Sequence, residues 1–200
     1  RLYGVKIYLN TEITEENIEE LHADVILLTT GAVPVIPAIS GLDTEKVRLA
    51  NDVLSGKTVI TDKKVLMIGG GIVGCECAEF LHQYNNTVDI ADMIPEFAEG
   101  LNKYPRAILL SSLREHGSAF YTETKVTEVL EDGIKGKRRE EDICLRGYDE
   151  IVLAVGSKPN RSLEESLRKT GKEVHILGDA GEVRDAKYAI FEAAKLALSL

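Results

Sequence analysis

Short apolar runs alternate with segments of helical periodicity along the chain, and this alternation predicts its elements. Val5–Leu9 has the alternating pattern of a strand, and Thr14–Leu21 has the pattern of a helix. Asp24–Thr29 is a mostly apolar run that leads into a Thr-Gly pair, which is typical of a strand buried in a parallel sheet. Two prolines make residues 33–41 an extended connection, because proline excludes a helix there.

A second series of elements begins at Lys64. Lys64–Ile68 is predicted as a buried strand, Cys75–Tyr84 as a helix and Thr87–Ala91 as the next strand. The other predicted elements are a helical turn at Asn51–Ser55, a helix at Tyr104–His116, strands at Ala119–Tyr121, Lys125–Leu130, Asp142–Arg146, Glu150–Ala154 and Glu173–Leu177, and a final helix at Ala186–Leu200. Strands that alternate with helices predict a doubly wound α/β fold.

A glycine-rich turn joins the strand at Lys64–Ile68 to the helix behind it. Its residues are Gly69, Gly70, Gly71, Ile72, Val73 and Gly74. In a GxGxxG turn the first glycine allows the tight bend, the second lets a pyrophosphate approach the backbone, and the third lets helix and strand pack closely. The following helix offers unpaired N–H groups and a partial positive charge to the phosphates. The turn therefore predicts a Rossmann-type dinucleotide site.

An acidic residue, Asp92, closes the strand after this helix, 92 − 74 = 18 positions beyond Gly74. In the Rossmann motif an acidic residue follows at about 20 positions and accepts hydrogen bonds from the ribose hydroxyls. A 2′-phosphate would meet the Asp92 carboxylate with like charge, and residues 93–95 contain neither lysine nor arginine. We therefore expect NADH rather than NADPH as the ligand. A glycine turn that serves packing alone is the alternative.

Charge and composition narrow the classes of function. The net charge of −9 and a pI near 5.1 argue against binding to nucleic acid or to an anionic membrane, which needs clustered lysine and arginine. The basic run Lys135–Arg139 is followed by three acidic residues and is predicted as a solvated hairpin. No apolar stretch reaches the roughly 18–20 residues that span a bilayer. Cys75, Cys77 and Cys144 form no CxxC pair, so we expect buried thiols in a reducing cytoplasm.

Four segments of the sequence resemble one protein superfamily. Gly69–Ala78 resembles the NADH-domain motif of the two-dinucleotide flavoproteins, the pyridine nucleotide–disulfide oxidoreductases. Leu28–Pro34 and Leu153–Asn160 resemble the flanking motifs of that superfamily, and Gly178–Ala180 is similar to its closing flavin motif. The resemblance implies an NADH-binding Rossmann domain inserted in a FAD-binding Rossmann-like domain.

Residues 89–93 and 113–117 are similar to one branch of that superfamily, the NADH:flavin oxidoreductases related to old yellow enzyme. This branch includes 2,4-dienoyl-CoA reductase and enoate reductase. In such proteins an N-terminal barrel carries FMN and an iron–sulfur cluster, and the C-terminal half carries FAD and NAD(P)H. The resemblance implies that electrons pass from nicotinamide to FAD and then towards the barrel. It also implies that this chain is a fragment, with the barrel and the first flavin loop outside its 200 residues.

The resemblance also assigns domains and ligand-binding residues. Residues 1–57 and 157–200 would be parts of a split FAD-binding domain, and residues 58–156 an inserted NADH-binding domain. Glu76 matches a glutamate near the nicotinamide carboxamide, and Asp179 matches an aspartate that binds the ribityl chain of FAD. The remaining cofactor-binding residues in the matching motifs are Thr30, Gly31, Gly156 and Gly178. Two positions depart from the family: Thr29 replaces an alanine, and Ala193 replaces a common glycine.

No catalytic side chain and no metal site is predicted, so the chemistry would belong to the cofactors. A non-catalytic module that binds an adenine nucleotide is the rival hypothesis, because the glycines and Asp92 fit both functions. Glu76 favours hydride transfer, since only a nicotinamide needs it. A third hypothesis, a disulfide reductase related to thioredoxin reductase, is disfavoured because the sequence has no CxxC pair to serve as the redox disulfide. An incomplete FAD-domain sheet would leave an apolar face that a crystal neighbour or a dimer partner could cover. The partners expected are the missing barrel of the same protein and, in a homo-oligomer, a second copy of the chain.

Overall fold

Twelve strands and five α-helices form within residues 3–20 and 22–200, the residues that the computed structural model describes. The strands are β1 (Val25–Leu28), β2 (Ala32–Pro34), β3 (Val47–Leu49), β4 (Lys64–Ile68), β5 (Thr87–Ala91), β6 (Phe120–Tyr121), β7 (Thr124–Leu130), β8 (Gly133–Arg138), β9 (Glu141–Arg146), β10 (Glu150–Leu153), β11 (Ser157–Pro159) and β12 (Glu173–Ile176). The α-helices are α1 (Ala50–Leu54), α2 (Ile72–His82), α3 (Lys103–Glu115), α4 (Glu164–Lys169) and α5 (Ala186–Ala197). Single 3₁₀ turns form at Ile18–Glu20 and Gly178–Ala180.

The internal contacts divide the chain into two compact units. Pro34–Gly156 forms the central unit, and Ser157–Leu200 forms the terminal unit together with the described residues up to Val33. The first division therefore lies earlier than residue 57, because β3 pairs with β10 of the central sheet and Val53 is buried in its core. The assignment of residues 1–57 and 157–200 to one FAD-binding domain stays a prediction.

Five parallel strands in the order β3-β10-β4-β5-β6 form the sheet of the central unit. The register of β4 and β5 runs from Lys64 opposite Thr87 to Ile68 opposite Ala91. Four consecutive residues of β4 are buried, as expected for a strand that is covered on both faces. This register places the turn after β4 and Asp92 after β5 at the same carboxyl edge of the sheet.

The two faces of this sheet are covered differently. Val65 and Met67 of β4 pack in the same core as residues of α1, α2 and α3. Leu66 and Ile68 point to the other face, where they pack with residues of the antiparallel sheet β7-β8-β9. The predicted α/β class is confirmed, but the second face is covered by an antiparallel sheet where a doubly wound fold has helices.

The middle strand of that antiparallel sheet, β8, was not expected from the sequence. It contains most of the basic run predicted as a hairpin, and the hairpin does form between β8 and β9. Arg139 and Glu140 connect the two strands with φ values of 49° and 70°. Positive φ at both central residues matches the twist of antiparallel strands, so this turn closes a tight hairpin.

In the terminal unit β1 pairs in parallel with β12, and β2 pairs with β11. The strand predicted at Asp24–Thr29 is confirmed as β1, but the prediction that it is buried is wrong, because Leu27 is exposed and only Leu28 is fully buried. The strand predicted at Val5–Leu9 is wrong, because these residues are exposed and adopt no strand. The helix predicted at Thr14–Leu21 is reduced to the turn at Ile18–Glu20, and Leu21 lies outside the described residues. Among the described residues no helix is long and apolar enough to cross a membrane.

Candidate functional site

The glycine turn between β4 and α2 has room for a ligand at one glycine and no spare room at two others. A Cβ on Gly69 would lie 2.4 Å from the Ala154 carbonyl oxygen, and Gly69 has a φ of +119°. A Cβ on Gly74 would lie 1.9 Å from the Gly69 carbonyl oxygen. A Cβ on Gly71 would meet no atom within 4 Å. The backbone is therefore open only at the glycine that a pyrophosphate approaches in a GxGxxG turn.

Helix α2 begins at Ile72, directly after Gly71 as its N-cap. No described side chain caps this helix end. The N–H groups of its first turn, including those of Ile72 and Val73, therefore keep the donor capacity and partial positive charge of a helix N-terminus. Donors of this kind next to an open glycine fit a phosphate group.

Gly70 is enclosed by the loop that follows β5. A Cβ on Gly70 would lie 2.3 Å from the ring of Phe97, which is buried. The Ala98 N–H donates to the Gly70 carbonyl oxygen at 2.8 Å. Gly70 is thus required for packing, a reason that the GxGxxG pattern does not give, and its contact with a cofactor stays a prediction.

Asp92 also holds Gly70 in place. The Gly70 N–H donates to Asp92 Oδ2 at 2.6 Å, and the Ile94 N–H approaches Oδ1 at 3.4 Å. A carboxylate oxygen has two acceptor positions, so Asp92 retains acceptors for ribose hydroxyls. The side chain is half-buried at the carboxyl edge of the sheet, beside the glycine turn.

Two further predicted residues of the central unit are exposed. Glu76 lies in the second turn of α2, and its side chain makes no hydrogen bond to a described residue. Gly156 has a φ of +94°, and its carbonyl oxygen accepts the Val35 N–H at 3.0 Å. Gly156 follows β10, the strand next to β4, so it lies at the same sheet edge as the glycine turn.

The flavin residues predicted in the terminal unit line one open groove with a volume of about 350 Å³. Gly31, Gly178 and Asp179 face this groove, and Ala193 lies beside them. Thr30 is the exception, since it is not among the residues that line the groove, and its hydroxyl donates to the Asn160 carbonyl oxygen at 2.6 Å. Asp179 Oδ1 accepts the Arg184 N–H at 3.1 Å, which leaves Oδ2 as a further acceptor. The groove thus offers one carboxylate and two glycines to part of a flavin nucleotide.

Several residues that shape these sites were missed by sequence reasoning. In the central unit they are Phe97, Ala98 and Arg106; in the terminal unit they are Arg161 and Glu192. Glu192 accepts the Gly178 N–H at 3.1 Å, and Arg161 donates to the Ala180 carbonyl oxygen at 2.9 Å. No local pattern marks such residues, because their partners lie in other elements or loops, which come together only in the folded chain.

Two of the three thiols are buried and hard to ionise. Cys75 and Cys77 are buried, and burial raises the pKa of Cys75 to about 11 and that of Cys77 to about 12. Cys144 corrects the expectation of three buried thiols, since it is exposed on β9. Within residues 3–20 and 22–200 no group of three or more His, Cys, Asp or Glu residues is arranged to hold a metal ion.

Comparison with known proteins gives a family and several relatives. The family model described as pyridine nucleotide-disulphide oxidoreductase matches residues 3–180. The chain is 34% identical to an NADH oxidase of Thermoanaerobacter brockii, covering 96% of this chain and 30% of the relative. It is 30% identical to a cinnamate reductase of Clostridium sporogenes, covering 98% of this chain and 30% of that relative. The chain therefore spans about 30% of the length of these relatives.

Solved structures give the same likeness. A 2-naphthoyl-CoA reductase in complex with 2-naphthoyl-CoA matches with a TM-score of 0.89 and 26% identity, over 98% of this chain and 30% of that one. A histamine dehydrogenase from Rhizobium sp. 4-9 matches with a TM-score of 0.81 over 96% of this chain and 33% of that one. At 14% identity the second likeness concerns the fold alone.

Proposed function

This chain belongs to the pyridine nucleotide-disulphide oxidoreductase family, and on that premise we propose that it is the NADH-binding part of a larger flavin-dependent oxidoreductase. The observation that carries the proposal is the glycine turn. Gly71 is open to a ligand, whereas Gly69 and Gly74 have no room for a side chain. The uncapped N-terminus of α2 and the carboxylate of Asp92 lie beside that opening.

Each group has a role in this proposal. The first-turn amides of α2 hold the pyrophosphate, and Asp92 accepts hydrogen bonds from the adenosine ribose. The exposed carboxylate of Glu76 binds the nicotinamide carboxamide, and Gly156 lines the same edge. When bound, NADH supplies a hydride and FAD accepts it. Gly31, Gly178 and Asp179, together with Thr30, hold the ribityl side of FAD.

The position of the chain within a larger protein is also a proposal. Coverage of about 30% of its relatives supports a fragment, and the likeness to a naphthoyl-CoA reductase supports an N-terminal barrel with FMN and an iron–sulfur cluster. That barrel would be the partner of this chain and would bind the final substrate. Three free thiols support a cytoplasmic location.

Preference for NADH over NADPH follows from the charges around Asp92. The nearby guanidinium of Arg106 donates to the Phe97 carbonyl oxygen and pairs with Glu96, so it is engaged away from a 2′-phosphate. Calorimetric titration of the chain with NADH and with NADPH tests the proposal. We expect saturable binding of NADH and weaker binding of NADPH. Absence of NADH binding, or equal affinity for both, would contradict it.

A further inference from the structure

A seven-residue loop, Asp92–Ala98, holds Gly70 by both of its backbone polar groups. At one end of the loop the Asp92 carboxylate accepts the Gly70 N–H at 2.6 Å. At the other end the Ala98 N–H donates to the Gly70 carbonyl oxygen at 2.8 Å. The ring of Phe97 closes over the Gly70 α-carbon between these two contacts. The Cys75 thiol of α2 also approaches the Gly70 carbonyl oxygen, at 3.4 Å, but a thiol is a weak donor. The loop therefore supplies the stronger contact to each peptide group at Gly70, and we call it the glycine latch.

The latch requires an unusual backbone conformation at its end. Ala98 is fully buried and has a φ of 53°. This value lies in the left-handed region, which residues other than glycine rarely adopt. Such a conformation persists only where the surrounding structure enforces it. A group that fixes the peptide between Phe97 and Ala98 would therefore also fix the hydrogen bond from Ala98 to Gly70.

Arg106 of α3 is that group. Its Nε donates to the Phe97 carbonyl oxygen at 2.8 Å, and its Nη2 lies 2.7 Å from Glu96 Oε2. The Arg106 side chain is 27% exposed and the Glu96 side chain 64% exposed. Because solvent screens the ion pair with Glu96, the bond to the Phe97 carbonyl is the stronger restraint.

We propose that Arg106 is a positioning residue for nucleotide binding, which acts through the glycine latch and not by touching the ligand. By fixing Phe97 and Ala98 it keeps Gly70 oriented, so that the amides beyond Gly71 and the carboxylate of Asp92 face the same opening. The inference rests on the proposed binding of NADH. A group that preorganises a site improves affinity by lowering the cost of ordering it on binding.

The first test compares Arg106→Met with Arg114→Met. Arg114 is the matched control, since it lies on the same helix and makes no hydrogen bond to the latch. It stacks on Phe120, 5.0 Å from the ring centroid, and Phe120 in turn packs on Phe97, so a methionine that keeps the apolar contact is the right replacement. We expect Arg106→Met to weaken NADH binding about tenfold, because the latch would then have to be ordered when the ligand binds. Arg114→Met should bind as the wild type does. Arg106→Lys should recover much of the affinity, because its ammonium can donate to the same carbonyl.

A double-mutant cycle separates positioning from a general loss of stability. Asp92→Asn removes the charge that the latch aims at the ribose, so Arg106→Met should cost less in that background than in the wild type. Equal costs in both backgrounds would indicate that Arg106 does not act through the latch. Should Arg106→Met fail to fold, Arg106→Gln takes its place, because a neutral amide donates more weakly than a guanidinium to the Phe97 carbonyl. Affinity for NADH and exchange at the Gly70 and Ala98 amides that both equal those of the wild type would then overturn the proposal.

Hydrogen exchange tests the latch without any ligand. In Arg106→Met we expect the amides of Gly70 and Ala98 to exchange at least about tenfold faster while those of β4 stay protected. Unchanged exchange at both amides would overturn the latch. Wild-type protein that binds no NADH overturns the proposed function and the positioning role together. Wild-type binding that Arg106→Met leaves unchanged overturns the positioning role alone.

Discussion

At the scale of single residues, the two carboxylate oxygens of Asp92 have different roles: one holds the glycine turn, and the other is free to accept a hydrogen bond from a ribose. Oδ2 accepts the Gly70 N–H, whereas Oδ1 has only a long contact with the Ile94 N–H. The carboxylate is thus aimed by the backbone before a nucleotide arrives. Replacing Asp92 by alanine would therefore loosen the turn as well as remove the ribose acceptor, and asparagine is the more informative substitution.

A substitution at Glu76 distinguishes the two hypotheses for this chain, hydride transfer from NADH and non-catalytic binding of an adenine nucleotide. If the Glu76 carboxylate binds the nicotinamide carboxamide, Glu76→Ala should weaken NADH about tenfold or more, since a hydrogen bond to a charged group contributes roughly 1.5–3 kcal/mol. ADP lacks the nicotinamide and should bind unchanged. Calorimetric titration with both ligands measures the difference, and Glu79→Ala, one turn further along α2, is the control. Equal weakening of NADH and ADP would support the non-catalytic binding module instead.

At the scale of elements, the glycine turn predicts opposite outcomes for two alanine substitutions. Gly71 has φ −66° and ψ −175°, which alanine adopts easily, and its Cβ would enter open space. Gly71→Ala should therefore change the free energy of unfolding by less than about 0.5 kcal/mol. It should nevertheless weaken NADH about tenfold or more, because the methyl group would occupy the approach of the pyrophosphate.

Gly74→Ala should destabilise the fold itself. Its Cβ would lie 1.9 Å from the Gly69 carbonyl oxygen, so the helix or the turn must shift, at a cost of about 1–3 kcal/mol or more. Denaturant unfolding together with NADH titration distinguishes the two variants. Loss of stability in Gly71→Ala, or a wild-type unfolding curve for Gly74→Ala, would contradict this account of the turn.

The junction of α2 with α3 contains a histidine pair that predicts an effect of pH. His82 Nδ1 bonds to the Asn86 carbonyl oxygen, Nε2 bonds to the Ser118 hydroxyl, and the ring stacks on His116 with centroids 4.9 Å apart. Burial, with a smaller contribution from His116, lowers the pKa of His82 below its ordinary value of 6.5, although the Asn86 carbonyl opposes this. The folded state therefore binds a proton less readily than the unfolded state.

The sign of the effect follows from this lowered pKa. The contribution of His82 to stability is complete above about pH 6.5 and is lost as the pH falls from there through the lower pKa of the folded state. His82→Gln should flatten the decline of the unfolding free energy between about pH 7 and pH 5. Denaturant unfolding at several pH values measures it, with the exposed His22→Gln as control. An unchanged decline in His82→Gln would assign the acid sensitivity to other groups.

A strand can be predicted from the sequence when its own residues show that it is buried, and it is missed when only pairing with distant strands makes it a strand. β4 and β5 begin and end at the predicted residues, because a short apolar run is the pattern expected for a strand that is buried on both faces of a parallel sheet. β8 was missed because its alternating glycines and cations look solvated, and only pairing with β7 and β9 makes it a strand. Val5–Leu9 fails for the opposite reason, since alternation without a neighbouring strand does not form a ladder.

The same distinction applies to the site. Gly69, Gly71, Gly74 and Asp92 could be predicted because the GxGxxG turn and the closing acid are local in sequence and each has a physical task. Phe97, Ala98 and Arg106 could not, because the contacts of Phe97 and Ala98 with the turn, and the bond from Arg106 to Phe97, exist only once β5 and α3 have packed beside α2. Sequence therefore identifies the groups that face the ligand, and the fold identifies those that hold them.

At the scale of the whole molecule, the two units contribute unequally to a flavoprotein. The central unit has a five-stranded parallel sheet with a complete glycine turn at its edge. The terminal unit has two separate two-stranded sheets, and no residue of α5 is buried. Ile190 and Phe191 of α5 are 70% and 65% exposed, an apolar surface that is usual where further protein packs.

This asymmetry leads to the prediction that a polypeptide of these 200 residues binds NADH but does not hold FAD tightly. Its sequence contains a single GxGxxG turn, which lies in the central unit. The groove of the terminal unit offers Gly31, Gly178 and Asp179 but no glycine-rich strand-to-helix turn for a second pyrophosphate. Binding costs roughly 4–15 kcal/mol in lost translational and rotational freedom, and a partial site does not offset that cost.

The consequence is a chain without reductase activity of its own, because NADH then has no flavin next to it to accept the hydride. The purified chain should show no flavin absorbance in the visible spectrum, and added FAD should separate from it on gel filtration. NADH titration of the same sample serves as the control, since it establishes that the central unit is folded and competent. A yellow protein with stoichiometric FAD that bleaches when NADH is added would show that the terminal groove suffices. The flavin site would then depend on Asp179 and its neighbours far more than on a pyrophosphate-binding turn.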